Sequence, residues 1–308
     1  MKINKKVLII GSYGFLGIHV ANAYRLREFD VYTLPNEIDI RNQNELFDFF
    51  SQSAQKYSFD IVVHLAALSY IPKSIESPST MYKVNFIGTS NILECLKCIN
   101  FSGKVVFASS STVYEILDDV ELPLTEDSLV SPCSPYAVSK IACEFLCSQW
   151  GSAESVDIVI LRFFNIIGPG QSSNFSISNF CKQAAQIKLN AKDCEINVGN
   201  TEIKRDFLDV RDAAEALLLL SIGNFSGVYN ICSGIEQSIN DMLDLLATIS
   251  HTNFRVVVDQ KKIRSNDPIR VFGDNSKIKK DTCWNYKITI RKTIEDTYNY
   301  WLKELRNE

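Results

Sequence analysis

Histidine is scarce in this chain. Only His19, His64 and His251 occur in 308 residues, and they are far apart in sequence. A histidine-based metal site is therefore not expected, and no metal is assigned. No apolar run reaches the roughly 18 residues of a membrane span. The basic start, Met1 to Lys6, precedes an apolar run, Val7 to Ile10, that is too short for a signal peptide and leads into a glycine turn. A cytoplasmic protein is expected, with no membrane partner. An excess of basic charge is also missing. The net charge of −4 argues against a nucleic-acid surface. The nine cysteines are odd in number and scattered. Cys95 and Cys98 form a C-x-x-C, but it lies in a stretch that reads as helix and no second pair is near. Free thiols in a reducing compartment are the expectation. No internal repeat or low-complexity linker is present. What the chain has is a composition 46% hydrophobic. That is enough for a sizeable core, in one large domain or two closely joined ones.

The chain opens on a buried-strand run, Lys6 to Ile10. Gly11-Ser12-Tyr13-Gly14-Phe15-Leu16-Gly17 follows, then a predicted helix from Ile18 to about Arg27. Gly11 allows the tight turn, Gly14 lets backbone approach a pyrophosphate, and Gly17 lets helix pack on strand. The helix N-terminus then faces an anion. A lone glycine triplet is weak, but between strand and helix it points to a dinucleotide cofactor rather than a plain turn. A second strand, Asp30 to Leu34, ends in Thr33-Leu34-Pro35-Asn36-Glu37. That tip carries neither the acid usual for a ribose 2′-hydroxyl nor the arginine usual for a 2′-phosphate. NAD(H) and NADP(H) both stay open. Asp39-Ile40 begins the next turn.

Asp60 to Ala67 reads as a strand ending in small residues, where open α/β sheets bind ligands. His64 reads as a packed strand residue. Asn85 reads as mid-helix, on the surface or bonding a bend. Lys104 to Ala108 is a fourth strand and runs into Ser109-Ser110-Ser111-Thr112. Four hydroxyls are costly to bury without partners. They make either a polar loop or a set of donors around a substrate carbonyl. Glu115 to Pro132 is acidic and loop-like. In Ser134-Pro135-Tyr136-Ala137-Val138-Ser139-Lys140, Tyr136 and Lys140 share one helix face. The cation is expected to pull the phenol pKa down toward neutrality and make a proton-transfer pair. Val156 to Phe163 reads as strand. Gly168-Pro169-Gly170 breaks structure and marks a domain boundary. Helices are expected over Ser178 to about Leu189, Asp212 to Leu220, Asn240 to Ser250 and Ile290 to Leu305. Strands are expected over Glu195 to Val198 and Val228 to Ile231. Arg205 and Arg264 together would clamp a diphosphate; singly each reads as a surface ion pair.

The motif set resembles the extended short-chain dehydrogenase/reductase superfamily, in its nucleotide-sugar branch. The motifs are Gly11–Gly17, His64-Leu-Ala-Ala, Asn85-x-x-Gly88, Ser109-Ser-Ser, Tyr136-x-x-x-Lys140, Arg162-Phe-Phe-Asn165-x-x-Gly168-Pro169, Arg205-Asp-Phe and Arg264-x-x-Asp267, in order over nearly the full length. The resemblance implies an α/β fold. A doubly wound parallel (Rossmann) sheet would bind NAD(P) over 1–165, completed by about 203–232. A smaller α/β C-terminal substrate domain would take 166–202 and 233–308. Carried over, Tyr136 is the general acid/base, Lys140 its partner and Ser110 the catalytic hydroxyl. Cofactor contacts would come from Gly11, Tyr13, Gly14, Phe15, Leu16 and Gly17. Asp39, Ile40, Leu65, Ala66, Ala67 and Asn85 would add to them, and Ser109, Tyr136, Lys140 and Phe163 would complete them. Ser109, Ser110 and Ser111 would face the sugar. Asn165, Asn179, Lys182, Val198, Asn200, Arg205, Arg264 and Asp267 would hold the nucleotide.

Within the branch the chain is most similar to GDP-4-keto-6-deoxymannose reductases and related 4-keto-6-deoxyhexose reductases. It departs from them at Ile166-Ile167, Asn179 and Arg264-Ser265, where that family has His-Thr, Asp and Arg-Pro. GDP- and dTDP-linked substrates are therefore both carried forward. The implied reaction is NAD(P)H-dependent reduction at C4 in deoxysugar biosynthesis for surface polysaccharide. Dehydratases of the branch carry Thr-Asp-Glu where this chain has Ser110-Ser111-Thr112, which argues against 4,6-dehydration. The alternatives are a 4-epimerase with tightly bound NAD and a non-catalytic NAD(P)-binding regulator. By analogy with the fold class, a homodimer through the Tyr136 helix is expected, with Cys143 and Cys147 at the interface or in the core.

Overall fold

The computed structural model describes residues 5–114, 121–190, 194–263 and 268–307. Arg264 and Asp267 lie outside the described residues. The N-terminal half alternates strand and helix: β1 (Lys6–Ile10), α1 (Phe15–Leu26), β2 (Asp30–Thr33), α2 (Gln43–Lys56), β3 (Ile61–His64), α3 (Ile71–Glu76), α4 (Pro78–Tyr82) and α5 (Gly88–Cys98). β4 (Lys104–Ser110), α6 (Pro135–Glu154) and β5 (Asp157–Phe163) follow. Then come β6 (Asn165–Ile167), α7 (Ser176–Asn190), β7 (Glu195–Val198), β8 (Lys204–Asp209), α8 (Val210–Ile222) and β9 (Gly227–Ile231). The chain continues through β10 (Glu236–Ser238), α9 (Ile239–Ser250), β11 (Arg255–Val258), β12 (Arg270–Val271), α10 (Ser276–Thr282) and α11 (Ile290–Asn307).

Six strands pair in the order β2-β1-β3-β4-β5-β9, and every pairing is parallel. Alternate residues of a strand face opposite sides. Val7 and Ile9 accordingly pack with Val20 and Tyr24 of α1 and Leu217 of α8. Leu8 and Ile10 pack with Phe50 of α2, Leu96 of α5 and Trp150 of α6. Burial on both faces explains why these strands read as unbroken apolar runs. The chain winds outward from β1 in both directions, so a crevice opens at the C-terminal ends of β1 and β3. β8 pairs with β10, β12 and β6, and β7 pairs with β11. α7, α9 and α11 bury Phe180, Met242 and Trp301 together in a separate core.

Several expectations are revised. α1 begins at Phe15, because Gly14 is already its N-cap. α2 was not foreseen, although Asn42 caps it by accepting from the Glu45 amide. Residues 165–167 form β6, a strand not foreseen, because β8 supplies a parallel partner. β4 runs on through the first two hydroxyls to Ser110. Cys143 and Cys147 belong to the core between α6 and the sheet.

Candidate active site

The turn after β1 is held from below. Leu65 and Ala66 amides donate to the Ile10 carbonyl at 2.8 and 3.0 Å. Gly11 has φ +92°, and a Cβ there would stand 2.6 Å from Ala66 N. A Cβ on Gly17 would stand 2.1 Å from the Gly11 carbonyl oxygen. Only hydrogen fits either position. Gly14 and Tyr13 remain exposed at the mouth of the turn. Backbone at the α1 N-terminus is thus open to an anion, as a dinucleotide pyrophosphate requires. Asn85 lies in a π-helical turn, Lys83–Ile87, between α4 and α5. It is buried, and its side chain accepts from Leu68 N at 2.8 Å and donates to Ser139 Oγ at 2.9 Å. It braces the β3 turn against α6.

α6 starts where the sequence dictates. Ser134 Oγ accepts from the Ala137 amide at 3.1 Å, and Pro135 takes the first helical turn. Tyr136 and Lys140 follow one turn apart, and both are buried. Lys140 Nζ donates to the Ala108 carbonyl at 2.6 Å and lies over the Phe107 ring. The ammonium is therefore bound to β4, not to the phenol. Burial raises the Tyr136 pKa to about 12, and a hydrogen bond with Ser110 opposes the rise. The expected fall toward neutrality does not occur, because desolvation of the phenolate outweighs any nearby cation. Burial lowers the Lys140 pKa to about 8. His64 is buried and bonded to Thr89 Oγ1 at 2.9 Å, with its pKa lowered to about 3 by burial and then by Lys140. It is a packed residue, as its strand position suggested.

The β4 hydroxyls are satisfied largely from within the protein. Ser110 Oγ accepts from Thr112 N at 3.2 Å and from Thr112 Oγ1 at 3.0 Å. A hydroxyl has two lone pairs and one proton. With both lone pairs engaged, the Ser110 proton is what remains to donate, and Tyr136 is its neighbour. Ser109 Oγ donates to Glu144 of α6.

The described residues expected to bind the nucleotide are spread over β6, α7, β7, the turn after β7, and β8. Asn165 Nδ2 donates to the Asp206 carbonyl at 3.0 Å, and Asn179 Nδ2 to the Ser173 carbonyl at 3.0 Å. Lys182 Nζ lies 4.9 Å from the centre of the Trp301 ring. Val198 is fully buried, and Asn200 Oδ1 accepts from the Glu202 amide at 3.0 Å. Arg205 Nη1 donates to the Lys204 carbonyl at 2.8 Å. The pairing of Arg205 with Arg264 lies outside the described residues.

The pattern of the GDP-mannose 4,6 dehydratase family matches residues 35–297. The chain belongs to that family. It has the fold of the extended short-chain dehydrogenases/reductases. GDP-6-deoxy-D-mannose reductase of Pseudomonas aeruginosa is 34% identical over 99% of the chain and 100% of the relative. GDP-6-deoxy-D-talose 4-dehydrogenase of Aggregatibacter actinomycetemcomitans is 30% identical over 97% and 99%. The structure of RMD from Pseudomonas aeruginosa complexed with NADPH superposes with TM-score 0.90 at 33% identity, covering 98% of this chain and 100% of that one.

This member of the GDP-mannose 4,6 dehydratase family contains site residues that motif reading passed over. In the sequence Thr112 shows itself only as one of four hydroxyls and as the end of the triplet that lacks carboxylates. Glu144 was not singled out, although it lies one further turn along the Tyr136–Lys140 face. Arg162 was quoted as part of a motif without a role. It donates to Glu144 from Nη2 at 2.7 Å.

Proposed function

We propose that the chain is an NAD(P)H-dependent nucleotide-sugar 4-ketoreductase acting on a GDP-linked 4-keto-6-deoxyhexose. One observation carries the chemistry of the site. Burial keeps Tyr136 protonated far above neutral pH, next to a Ser110 hydroxyl whose proton is available. Two donors at one point suit a carbonyl that gains a proton as it is reduced. The nicotinamide cofactor supplies the hydride when it is bound. Gly11–Gly17, with Leu65 to Ala67 beneath, would hold its pyrophosphate half, and Lys140 its nicotinamide ribose. Asp39 and Ile40 would border the adenosine end. Ser110 donates to the sugar C4 oxygen, and Tyr136 Oη transfers its proton there as negative charge develops. Ser111 and Thr112 offer no carboxylate to remove a C5 proton, so dehydration is not part of the chemistry.

GDP is preferred over dTDP because both curated relatives named above carry a GDP-6-deoxyhexose in their names. We assign the nucleotide-sugar end to 166–202 and 233–308, with Asn179, Lys182, Asn200, Arg264 and Asp267 as its contacts, Asn165 and Arg205 joining them from the cofactor-binding part, and Val198 in the core beneath. We also place the enzyme in the cytoplasm, where its nine free thiols stay reduced. No described helix is long and apolar enough to cross a membrane. Val138 and Phe145, exposed on α6 seven residues apart, offer a homodimer face.

A panel of GDP- and dTDP-4-keto-6-deoxyhexoses with NADPH or NADH tests the assignment by loss of reduced-nicotinamide absorbance. Consumption with a GDP-linked ketosugar is expected. A 4-epimerase consumes none, and a regulator turns nothing over. The pH dependence follows from Lys140. Its depressed pKa means the ammonium is lost as pH rises through about 8. kcat is therefore expected to fall on the alkaline side with a midpoint near there, and a profile level to strongly alkaline pH contradicts the role of Lys140.

A further inference from the structure

Glu144 occupies the third step of a ladder on α6, after Tyr136 and Lys140 at four-residue spacing. All three are buried. Its carboxylate is taken by three groups. Ser109 Oγ donates to Oε1. Arg162 of β5 donates from Nε to both oxygens at 3.1 and 3.2 Å and from Nη2 to Oε2 at 2.7 Å. The ion-pair side chains are only 7% and 4% exposed. Arg162 is itself held on its other sides. Nη1 donates to the Glu126 carbonyl at 3.2 Å, and the guanidinium lies over the Tyr114 ring. Tyr114 Oη donates in turn to Asn230 Oδ1 of β9 at 2.5 Å.

We infer that Glu144 and Arg162 are positioning residues: a buried clamp that fixes α6 against the end of β4 and so sets Tyr136, Lys140 and Ser110 in register. The clamp grips β4 at Ser109, between Ala108, which Lys140 grips, and Ser110. Lys140 and Glu144 thus fasten adjacent residues of one strand to adjacent turns of one helix. A buried pair is expensive to desolvate and gives little net stability over apolar packing. Its fixed geometry, a forked cation on a carboxylate with a third donor, suits register. The groups facing Lys140 define how the clamp acts on it. His64 from β3 is neutral, Phe107 and the Ala108 carbonyl come from β4, and Cys143 and Cys147 are thiols on α6. Glu144 is the carboxylate among the groups that raise its affinity for a proton.

The clamp rests on the reductase reading for its effect on turnover, so one of its readouts needs no substrate. Glu144→Gln keeps the shape and an acceptor for Ser109 but removes the charge. In the full-length enzyme, kcat is expected to fall about ten- to a hundredfold, the scale of a small misplacement, with KM for the nucleotide sugar little changed. The Lys140 midpoint, followed by the NMR signal of its Cε methylene, is expected to move down as the carboxylate charge is lost. The direct charge effect is cancelled in the neutral pair Glu144→Leu with Arg162→Met, where a moved midpoint reports a displaced Lys140 and an unmoved one a purely structural role. If Glu144→Gln does not fold, the paired replacement Glu144→Leu with Arg162→Met removes both charges and is expected to fold with kcat at least about tenfold lower. Native kcat in a folded variant, or an unmoved Lys140 midpoint in the paired replacement, overturns the clamp. If wild-type enzyme turns over no ketosugar, the reductase reading fails, and the Lys140 midpoint alone decides the clamp.

Discussion

Tyr136→Phe is expected to lower kcat by about 10²–10⁴-fold, the usual worth of a positioned general acid, while cofactor binding is retained. Phenylalanine keeps the ring in its buried site and removes only the oxygen that meets Ser110. Tight binding of reduced cofactor with turnover lost would mark Tyr136 as the proton donor. Retained turnover would remove Tyr136 from the chemistry. Ser110 then becomes the sole donor, and the paired-donor account fails. Persistence of cofactor binding in a protein whose wild type turns over nothing would instead favour the regulator.

Gly17→Ala is expected to have the largest effect on the cofactor. The new Cβ would lie 2.1 Å from the Gly11 carbonyl oxygen and 2.7 Å from Ser12 Cα. Both are backbone, so no side chain can swing aside. Gly11 has little room to retreat, because Ala66 N stands 2.6 Å from where its own Cβ would be. The turn must open, at a cost of about 1–3 kcal/mol for an overpacked site. The clash displaces the turn from the shape a pyrophosphate needs, so the NADPH dissociation constant is expected to rise about five- to a hundredfold. Calorimetric titration of the folded variant checks it. Gly14→Ala is the contrast, since its Cβ meets only the Gly11 carbonyl oxygen, at 3.3 Å. It should melt above Gly17→Ala. Wild-type NADPH affinity in Gly17→Ala would show that the turn is not the pyrophosphate cradle.

Much of the fold was legible because its causes are local. Strands buried on both faces are apolar runs, and β1, β3 and the cores of β4 and β5 read that way. The glycine turn between β1 and α1 has steric reasons that the structure shows atom by atom. Four-residue spacing placed Tyr136 and Lys140 on one face. Distant contacts were not legible. β6 is three residues long and exists through β8. The serine run looked like a loop needing solvent or ligand, because its partner Glu144 is 35 residues away. The sign of the Tyr136 shift depended on burial and on where Lys140 points. Sequence spacing places two side chains near each other; it does not say that the ammonium will choose the Ala108 carbonyl. α2 is different. Its cap signal, Asn42 followed by Glu45, was present in the chain and passed over.

The central claim is hydride delivery to C4 with a proton from Tyr136. Its most direct test uses NADPH deuterated at the transferable nicotinamide position, with a GDP-4-keto-6-deoxyhexose as acceptor. NMR and mass spectrometry of the product should find one deuterium per sugar, at C4, for each cofactor oxidised. A C4-inverted or unchanged sugar without deuterium, and with the reduced cofactor unspent, would contradict the account.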